Sequence, residues 1–199
     1  MILAPPCQGN VLMESGFDPS LNPFAPLLRY GVLSDTHGTI HPGIFAAFEG
    51  VRHIFHCGDL GHLTCKTELE VIAPVSLVRG NMDGWSVASC CKELLMETVE
   101  FGDVALYHGT RYGHSNEAIM RGLSQFYAPE LPRMICYGHS HQAQIDEVGH
   151  TLFINPGSAT YPHGSGSPTA ALVEFNPEKH LLVAWIVELD SFLASKPKG

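Results

Sequence analysis

The chain has 199 residues and carries 11 Lys and Arg against 20 Asp and Glu, which gives a formal net charge of −9. Its length predicts a single domain that can bury a full hydrophobic core, and its acidic balance argues against binding to a nucleic-acid backbone. We expect no membrane association, because no apolar run approaches the roughly 20 residues of a membrane span and the N-terminus lacks the basic residues of a secretion signal. Six cysteines without a C-x-x-C pair are typical of free thiols in the reducing cytoplasm.

The first segment of the chain differs in composition from the rest. Residues 1–27 are rich in Pro, Gly, Asn and Ser, and we predict an irregular N-terminal extension there. Two arrangements stay open for this extension: it folds back on the domain, or it embraces a neighbouring copy in a homo-oligomer. The domain proper is predicted at 28–190, and residues 191–199 are assigned to a C-terminal tail.

The first half of the domain alternates between strands and helices. Apolar runs predict strands at 27–35, 52–59 and 75–81, and helical spacing predicts helices at 43–51 and 65–73. This alternation is typical of a parallel sheet.

The second half of the domain is predicted to be mostly antiparallel. Two apolar runs separated by Gly102 and Asp103 predict a β-hairpin. A helix is predicted at 116–128 and a strand at 133–139. Four short antiparallel strands with turn residues between them are predicted from 142 to 190.

Residues able to bind a metal ion follow five of these apolar runs, and most have a glycine beside them. They are Asp35 and His37, Asp59, Asn81, His108, and His139 and His141. Sites in mixed α/β proteins lie beyond the carboxyl ends of strands, and glycine lets the chain turn sharply and lets a ligand approach the backbone. One such residue alone is more often a turn former, a helix cap or a packed histidine, but five strand ends of this kind together predict a metal centre.

Six short motifs then point to a known family. SDTHG, CGDL, RGNMD, YHG, GHSH and INPGS occur in the order seen in calcineurin-like metallophosphoesterases. The chain resembles the small phosphodiesterases of the YfcE type within that superfamily, which are related to a scaffold subunit of retromer. The resemblance covers about residues 29–188 and implies an α/β fold: a four-layer α/β/β/α sandwich of two mixed β-sheets flanked by helices, the metallophosphoesterase domain.

The resemblance also implies a role for each matching residue. The implied ligand set is Asp35, His37 and His141 for one metal ion, Asn81, His108 and His139 for the other, and Asp59 as the bridge. Asp59, Asn81 and His37 are the implied catalytic residues. Substrate contacts are assigned to Asn81, to His163 after the NPGS motif, and to Arg111, which follows a ligand closely in sequence.

The chemistry of this ligand set suits a small phosphate ester. Two divalent ions would bring a charge of +4 and the two carboxylates return −2, so the centre stays cationic inside an acidic protein. Paired ions bind phosphate oxygens and hold a bridging hydroxide that attacks the phosphodiester. Mixed nitrogen and oxygen ligands favour Mn, Fe, Zn, Ni or Co over Mg. The NPGS turn at 155–158 is expected to hold the histidine tautomers.

The sequence departs from the family at two positions near these ligands. Many phosphatases of the superfamily carry a histidine after the asparagine ligand, where this chain has Met82, and the small branch often has a second histidine where this chain has Thr110. The usual donor of a proton to the leaving group is therefore missing.

Two classes of function stay open at this stage. The first is a dinuclear phosphodiesterase, and the second is a non-catalytic, metal-binding scaffold of the retromer-subunit type. The complete set of seven competent ligands favours the enzyme. The substrate is left open between a cyclic nucleotide, a phospholipid fragment and a small phosphomonoester.

Overall fold

The structure is a computed structural model that describes residues 11–13, 27–164 and 166–193. Within them, eleven strands form two mixed β-sheets, and helices cover the outer faces. In chain order the strands are β1 (Val11–Met13), β2 (Leu28–Leu33), β3 (His53–His56), β4 (Val75–Leu77), β5 (Leu94–Val99), β6 (Gly102–Tyr107), β7 (Met134–Cys136), β8 (Gln144–Val148), β9 (Thr151–Asn155), β10 (Thr169–Asn176) and β11 (Leu181–Glu188). The helices are α1 (Gly43–Ala47), α2 (Leu63–Glu70), α3 (Trp85–Ala88) and α4 (Asn116–Tyr127).

The first sheet has the strand order β1-β11-β10-β2-β3-β4. Strands β2, β3 and β4 are parallel, as the alternation of strands and helices predicted. Strand β1 pairs antiparallel with β11, so this part of the extension predicted to be irregular covers a sheet edge that would otherwise expose unpaired backbone groups. The remainder of that extension, 1–10 and 14–26, lies outside the described residues.

The second sheet has the strand order β5-β6-β7-β9-β8, with β6, β7 and β9 parallel. The predicted hairpin is present, but its turn lies at Glu100 and Phe101, because Gly102 already pairs with Val99. Phe101 is buried and packs edge-on against Tyr30 of the other sheet. Burial of this side chain sets the register two residues earlier than the glycine suggested.

The four strands predicted as one antiparallel run divide between the two sheets. Strands β8 and β9 pair antiparallel in the second sheet, and β10 and β11 pair antiparallel in the first. Strand β9 is also parallel to β7. Apolar alternation along a strand shows that one face is buried, but it does not show which sheet the strand joins.

Three apolar clusters separate the four layers and confirm the predicted sandwich. On β6, Val104 and Leu106 point into the cluster between the sheets, whereas Ala105 and Tyr107 point outward to a cluster that also contains Ile119 of α4. The other outer cluster packs α1 and α2 on the first sheet. None of the helices in the described part of the chain has the length and apolar character needed to cross a lipid bilayer.

Candidate metal centre

The loops that follow β2, β3, β6 and β7 bring predicted ligands from both sheets together. Asp35 is at the middle of this group and is fully buried. Its Oδ1 lies 3.1 Å from His141 Nε2, 3.9 Å from His108 Nε2 and 4.0 Å from His37 Nε2. His108 Nε2 is in turn 3.2 Å from Asp59 Oδ2.

These side chains form two overlapping groups with the geometry of a metal site. Asp35, His37 and His141 form one group and Asp35, Asp59 and His108 the other, and within each the ligating atoms lie within 4.8 Å of one another. The first group is the set expected for one ion. Asp35 is the carboxylate common to both groups, whereas the resemblance implied that Asp59 is shared; a bridging role for Asp59 stays a prediction.

The other two predicted ligands lie beside the second group. The His139 ring centroid is 5.2 Å from that of His108, and its amide donates to Asp35 Oδ2 at 3.3 Å. Asn81 is exposed, and its Oδ1 accepts a hydrogen bond from the Thr110 hydroxyl at 3.1 Å. Its neighbour Met82 donates its amide to Asp59 Oδ1 at 2.7 Å, which places the Asn81 backbone at the centre.

Five of the predicted ligands have left-handed backbone conformations, which non-glycine residues rarely adopt. They are Asp35 (φ 55°), His37 (φ 46°), Asp59 (φ 52°), His139 (φ 70°) and His141 (φ 56°). Such conformations cost on the order of 1–3 kcal/mol each and persist only where the surroundings impose them. Because β7 ends at Cys136, the spacing of the two histidines in GHSH follows loop geometry rather than the alternation of a strand.

Backbone hydrogen bonds hold these loops in place. The amides of Asp35 and His37 donate to the carbonyls of Gly58 and Asp59, both at 3.0 Å, which ties the loop after β2 to the loop after β3. The Ser158 hydroxyl donates to the Asp35 carbonyl at 2.9 Å.

The NPGS turn therefore acts differently from our expectation. Ser158 holds the Asp35 backbone, and Asn155 Nδ2 donates to the Gly138 carbonyl at 3.2 Å. Both side chains fix loops that carry ligands. Two of the ligand histidines, His108 and His141, take their orientation from other carbonyl groups.

Two backbone carbonyls fix the tautomers of His108 and His141. His108 Nδ1 lies 2.8 Å from the Cys57 carbonyl, and His141 Nδ1 lies 2.6 Å from the Tyr161 carbonyl. A carbonyl only accepts, so Nδ1 carries the hydrogen and Nε2 of the neutral ring presents a lone pair. Both Nε2 atoms face carboxylates, an arrangement that suits a cation between them.

Unpartnered atoms at the centre fit the same requirement. His139 Nε2 is buried without a partner, and Asp35 Oδ1 and His108 Nε2 are buried with ion-pair contacts to His141 and Asp59 but no well-aligned hydrogen bond among the described residues. A buried polar atom without a partner costs about 1–3 kcal/mol. A divalent ion would satisfy such atoms, so the residues present fit a metal.

Without metal, the carboxylates shift the pKa of the histidines. The adjacent Asp35 carboxylate raises the pKa of His141 above its ordinary value. Burial by itself would lower the pKa of His108, but Asp59 and Asp35 outweigh it and raise that pKa. A metal ion must displace these protons, so metal binding is expected to strengthen as the pH rises.

His56 is a supporting residue, although a histidine inside a strand is more often only packed. It is fully buried, its Nδ1 accepts from the Gly58 amide at 3.2 Å, and its Nε2 lies 2.9 Å from the Thr36 hydroxyl. Thr36 donates onward to the Leu60 carbonyl at 3.1 Å. His56 thus joins the two loops that carry Asp35 and Asp59, and its place before Cys-Gly-Asp was the available signal.

Asp83 is a second supporting residue. Its carboxylate accepts from the amides of Gly61 at 2.7 Å and Gly80 at 2.8 Å, which links the loops after β3 and β4. Glycine is required at position 80, because a Cβ atom there would lie 2.0 Å from Asp59 Oδ1.

The two further candidates for substrate contact lie on different sides of the centre. Arg111 Nε pairs with Glu93 Oε1 at 2.8 Å, and the Arg111 side chain is otherwise exposed. His163 donates its amide to the His141 carbonyl at 3.4 Å and lines a cleft next to that ligand. Their contacts with substrate stay predictions.

Known proteins of one superfamily are similar to this chain in sequence. The family model for the calcineurin-like phosphoesterase superfamily domain matches residues 28–178. A curated protein of Methanothermobacter thermautotrophicus named probable metallophosphoesterase is 34% identical over 154 residues, which cover 75% of this chain and 87% of that protein. A curated protein of Methanocaldococcus jannaschii named phosphodiesterase is 28% identical over 170 residues, covering 77% of this chain and 96% of that protein.

Solved structures are similar in fold. A predicted phosphoesterase of Streptococcus pneumoniae superimposes with a TM-score of 0.63 at 23% identity, over 83% of this chain and 91% of that chain. Vacuolar protein sorting 29 of Cryptosporidium parvum superimposes with a TM-score of 0.67 at 15% identity, over 81% and 91% of the two chains. At these identities the similarity concerns the fold alone.

Proposed function

The chain belongs to the calcineurin-like phosphoesterase superfamily, and we propose that it is a phosphodiesterase that holds two divalent metal ions and hydrolyses small phosphodiesters. The observation that carries the proposal is the pair of overlapping ligand groups around the buried Asp35. Free buried cysteines are consistent with action in the cytoplasm.

The donor atoms of the centre narrow the choice of metal. Imidazole nitrogens, carboxylate oxygens and the Asn81 amide suit Mn, Fe, Zn, Ni or Co. When bound, such ions neutralise the phosphate oxygens and activate water for attack on phosphorus.

The carboxylate, histidine and asparagine side chains of the centre have separate roles. Asp35 and Asp59 supply the negative charge that holds the ions. His108 and His141 keep their lone pairs directed at the centre because the Cys57 and Tyr161 carbonyls fix their tautomers. Asn81 is exposed at the edge of the centre, where its amide is able to donate to a phosphate oxygen.

Neither of the two residues that follow Asn81, Met82 and Asp83, is suited to protonate a leaving group. The Met82 side chain is exposed and has no acidic proton. Both carboxylate oxygens of Asp83 accept amide hydrogens from Gly61 and Gly80. We therefore expect aryl diesters, whose leaving oxide needs no proton, to be cleaved faster than alkyl esters, because a positioned acid contributes about 10²–10⁴-fold.

Metal reconstitution tests the proposal. The chain is stripped with a chelator, loaded separately with Mn, Fe, Zn, Ni and Co, and examined by elemental analysis. Each form is then assayed with bis(p-nitrophenyl) phosphate, ethyl p-nitrophenyl phosphate, diethyl phosphate and p-nitrophenyl phosphate. We expect two ions per chain and the highest kcat/KM on the aryl diesters. Metal binding without hydrolysis of any ester would favour the scaffold function, and a metal content near zero would contradict the metal centre itself. Equal cleavage of the aryl and alkyl diesters would contradict the account of Met82.

A further inference from the structure

A cleft of about 740 Å³ opens beside the metal centre and has His141 in its wall. The loop after β7, the loop between β9 and β10, the end of β11 and the short helix at Leu189–Phe192 surround it. His163 belongs to the same wall, and its amide is bonded to the His141 carbonyl at 3.4 Å. A phosphate held at the centre on its His141 side therefore has the cleft next to it.

Among the described residues that line it, the cleft has one carboxylate and no Lys or Arg. That carboxylate belongs to Glu188, which is exposed. Among the described side chains, the Ser191 hydroxyl donates to the Glu188 backbone carbonyl at 2.7 Å, and the carboxylate itself makes no ion pair. The remaining polar lining comes from the two imidazoles of His141 and His163 and from hydroxyl and amide groups, and Ile186 and Val187 supply an apolar part. These groups suit a small organic arm that carries a positive charge at its end.

We propose that this cleft receives the alcohol arm that stays on the phosphate, and that Glu188 selects an arm with a positive charge, such as an amino alcohol. The inference rests on the proposed phosphodiesterase function. A diester with a cationic arm has no net charge, so a protein of net charge −9 does not repel it. The carboxylate at the cleft then attracts the arm while the apolar wall contacts its carbon groups.

A pair of matched substrates tests the charge selection directly. p-Nitrophenyl phosphocholine carries a quaternary ammonium, and p-nitrophenyl 3,3-dimethylbutyl phosphate has the same shape without the charge. We expect kcat/KM to be about 2- to 5-fold higher for the cationic ester, the range of an exposed ion pair. In Glu188→Gln this ratio should fall to about one, and added salt should reduce it in the wild type.

A matched control separates this effect from the overall charge. Glu49→Gln removes one negative charge from an exposed position outside the cleft and should leave the ratio unchanged. Calorimetry with choline phosphate and 3,3-dimethylbutyl phosphate gives a second readout that does not depend on hydrolysis. The cationic ligand should bind more tightly to the wild type, and this preference should be lost in Glu188→Gln.

The outcomes distinguish the two levels of the proposal. Hydrolysis of both esters at equal rates, with equal binding of both ligands, overturns the cleft assignment and leaves the phosphodiesterase. Hydrolysis of neither ester, with the charge preference still present in calorimetry, overturns the phosphodiesterase and leaves the cleft as a binding site. If the ratio of kcat/KM for the two esters falls to about one in Glu49→Gln as well as in Glu188→Gln, the effect comes from net charge and the role of Glu188 is overturned.

Competition distinguishes a free diester from a lipid headgroup. Glycerophosphocholine is expected to inhibit hydrolysis of the cationic ester, because the arm fits a cleft of this size. Phosphatidylcholine vesicles at the same headgroup concentration are expected to inhibit less. Stronger inhibition by the vesicles would overturn the assignment to a small soluble diester.

Discussion

The two ligand groups of the centre differ in how far solvent reaches them. The buried side consists of Asp35, Asp59 and His108, which are 0%, 2% and 2% exposed. The open side shares Asp35 but adds His37 and His141, whose side chains are 20% and 26% exposed. Charges attract more strongly where water is excluded, so we expect the buried side to hold its ion more tightly and the open side to exchange its ion and meet the substrate.

The largest expected effect comes from the residue that both sides share. Asp35→Asn removes the carboxylate common to the two groups, so the metal content should fall from two ions to near zero. Activity should fall by more than about 100-fold, beyond the cost of altering a residue that only orients a ligand. Elemental analysis and kcat/KM on an aryl diester measure both effects.

A folding control accompanies this variant. Asp35 Oδ1 pairs with His141 Nε2 at 3.1 Å, so the metal-free variant is expected to lose part of its stability but to keep its fold, because asparagine has nearly the same shape as aspartate. Loss of the native near-ultraviolet circular dichroism spectrum in chelator would assign the loss of activity to folding. Retention of one ion at full affinity would contradict the sharing of Asp35.

His56 supports the buried side and should make the metal-free fold sensitive to acid. Burial lowers the pKa of His56 to about 4, against an ordinary value of 6.5. Between pH 6.5 and pH 4 the unfolded chain therefore binds a proton at His56 that the folded chain does not bind. The free energy of unfolding falls as the pH drops through this range. The loss attributable to this group is up to about 3 kcal/mol.

Urea unfolding in chelator at pH 7 and pH 4.5 measures this loss in wild type and His56→Gln. Glutamine does not titrate, so the stability difference between the two proteins should shrink at the lower pH. His108 and His141, whose raised pKa values act in the opposite sense, contribute equally to both proteins. Parallel changes in the two proteins would show that His56 is not the acid-sensitive group.

The open side alone should be affected by His141→Ala. The variant removes a ring that reaches Asp35 Oδ1 at 3.1 Å but leaves the Asp59 and His108 pair intact. One ion should bind about 10- to 100-fold more weakly while the other is retained. Isothermal titration calorimetry with the metal ion resolves the two sites. The control variant is His150→Ala, at an exposed turn. Equal weakening of both ions would contradict the division into two sides.

The smallest effect is expected from Thr110, which orients Asn81 beside the buried side. Thr110→Val keeps the shape of the side chain but removes the hydroxyl that donates to Asn81 Oδ1 at 3.1 Å. The affinity for the ion on the buried side should fall about 10-fold, the lower end of the range for such a supporting contact. Thr110→Ser, which keeps the hydroxyl, should retain the wild-type affinity. Unchanged affinity in both variants would mean that Asn81 needs no orientation.

The amino-acid sequence was sufficient to predict the candidate metal ligands. Acidic residues, histidines and glycines after successive apolar runs placed Asp35, Asp59 and His108 at strand ends, and parallel strands end at one edge of a sheet. The four-layer architecture followed from the resemblance and is confirmed by the three apolar clusters.

How those residues meet depends on the folded domain. The sharing of Asp35, the support by His56 and the cleft at Glu188 each join segments that are distant in the chain, so no local pattern encodes them. The hairpin turn moved because Phe101 is buried between the sheets, and the ligand loops adopt left-handed conformations that local preference disfavours. Packing and hydrogen bonds across both sheets outweigh local propensity at these points, and they form only when the whole domain is folded.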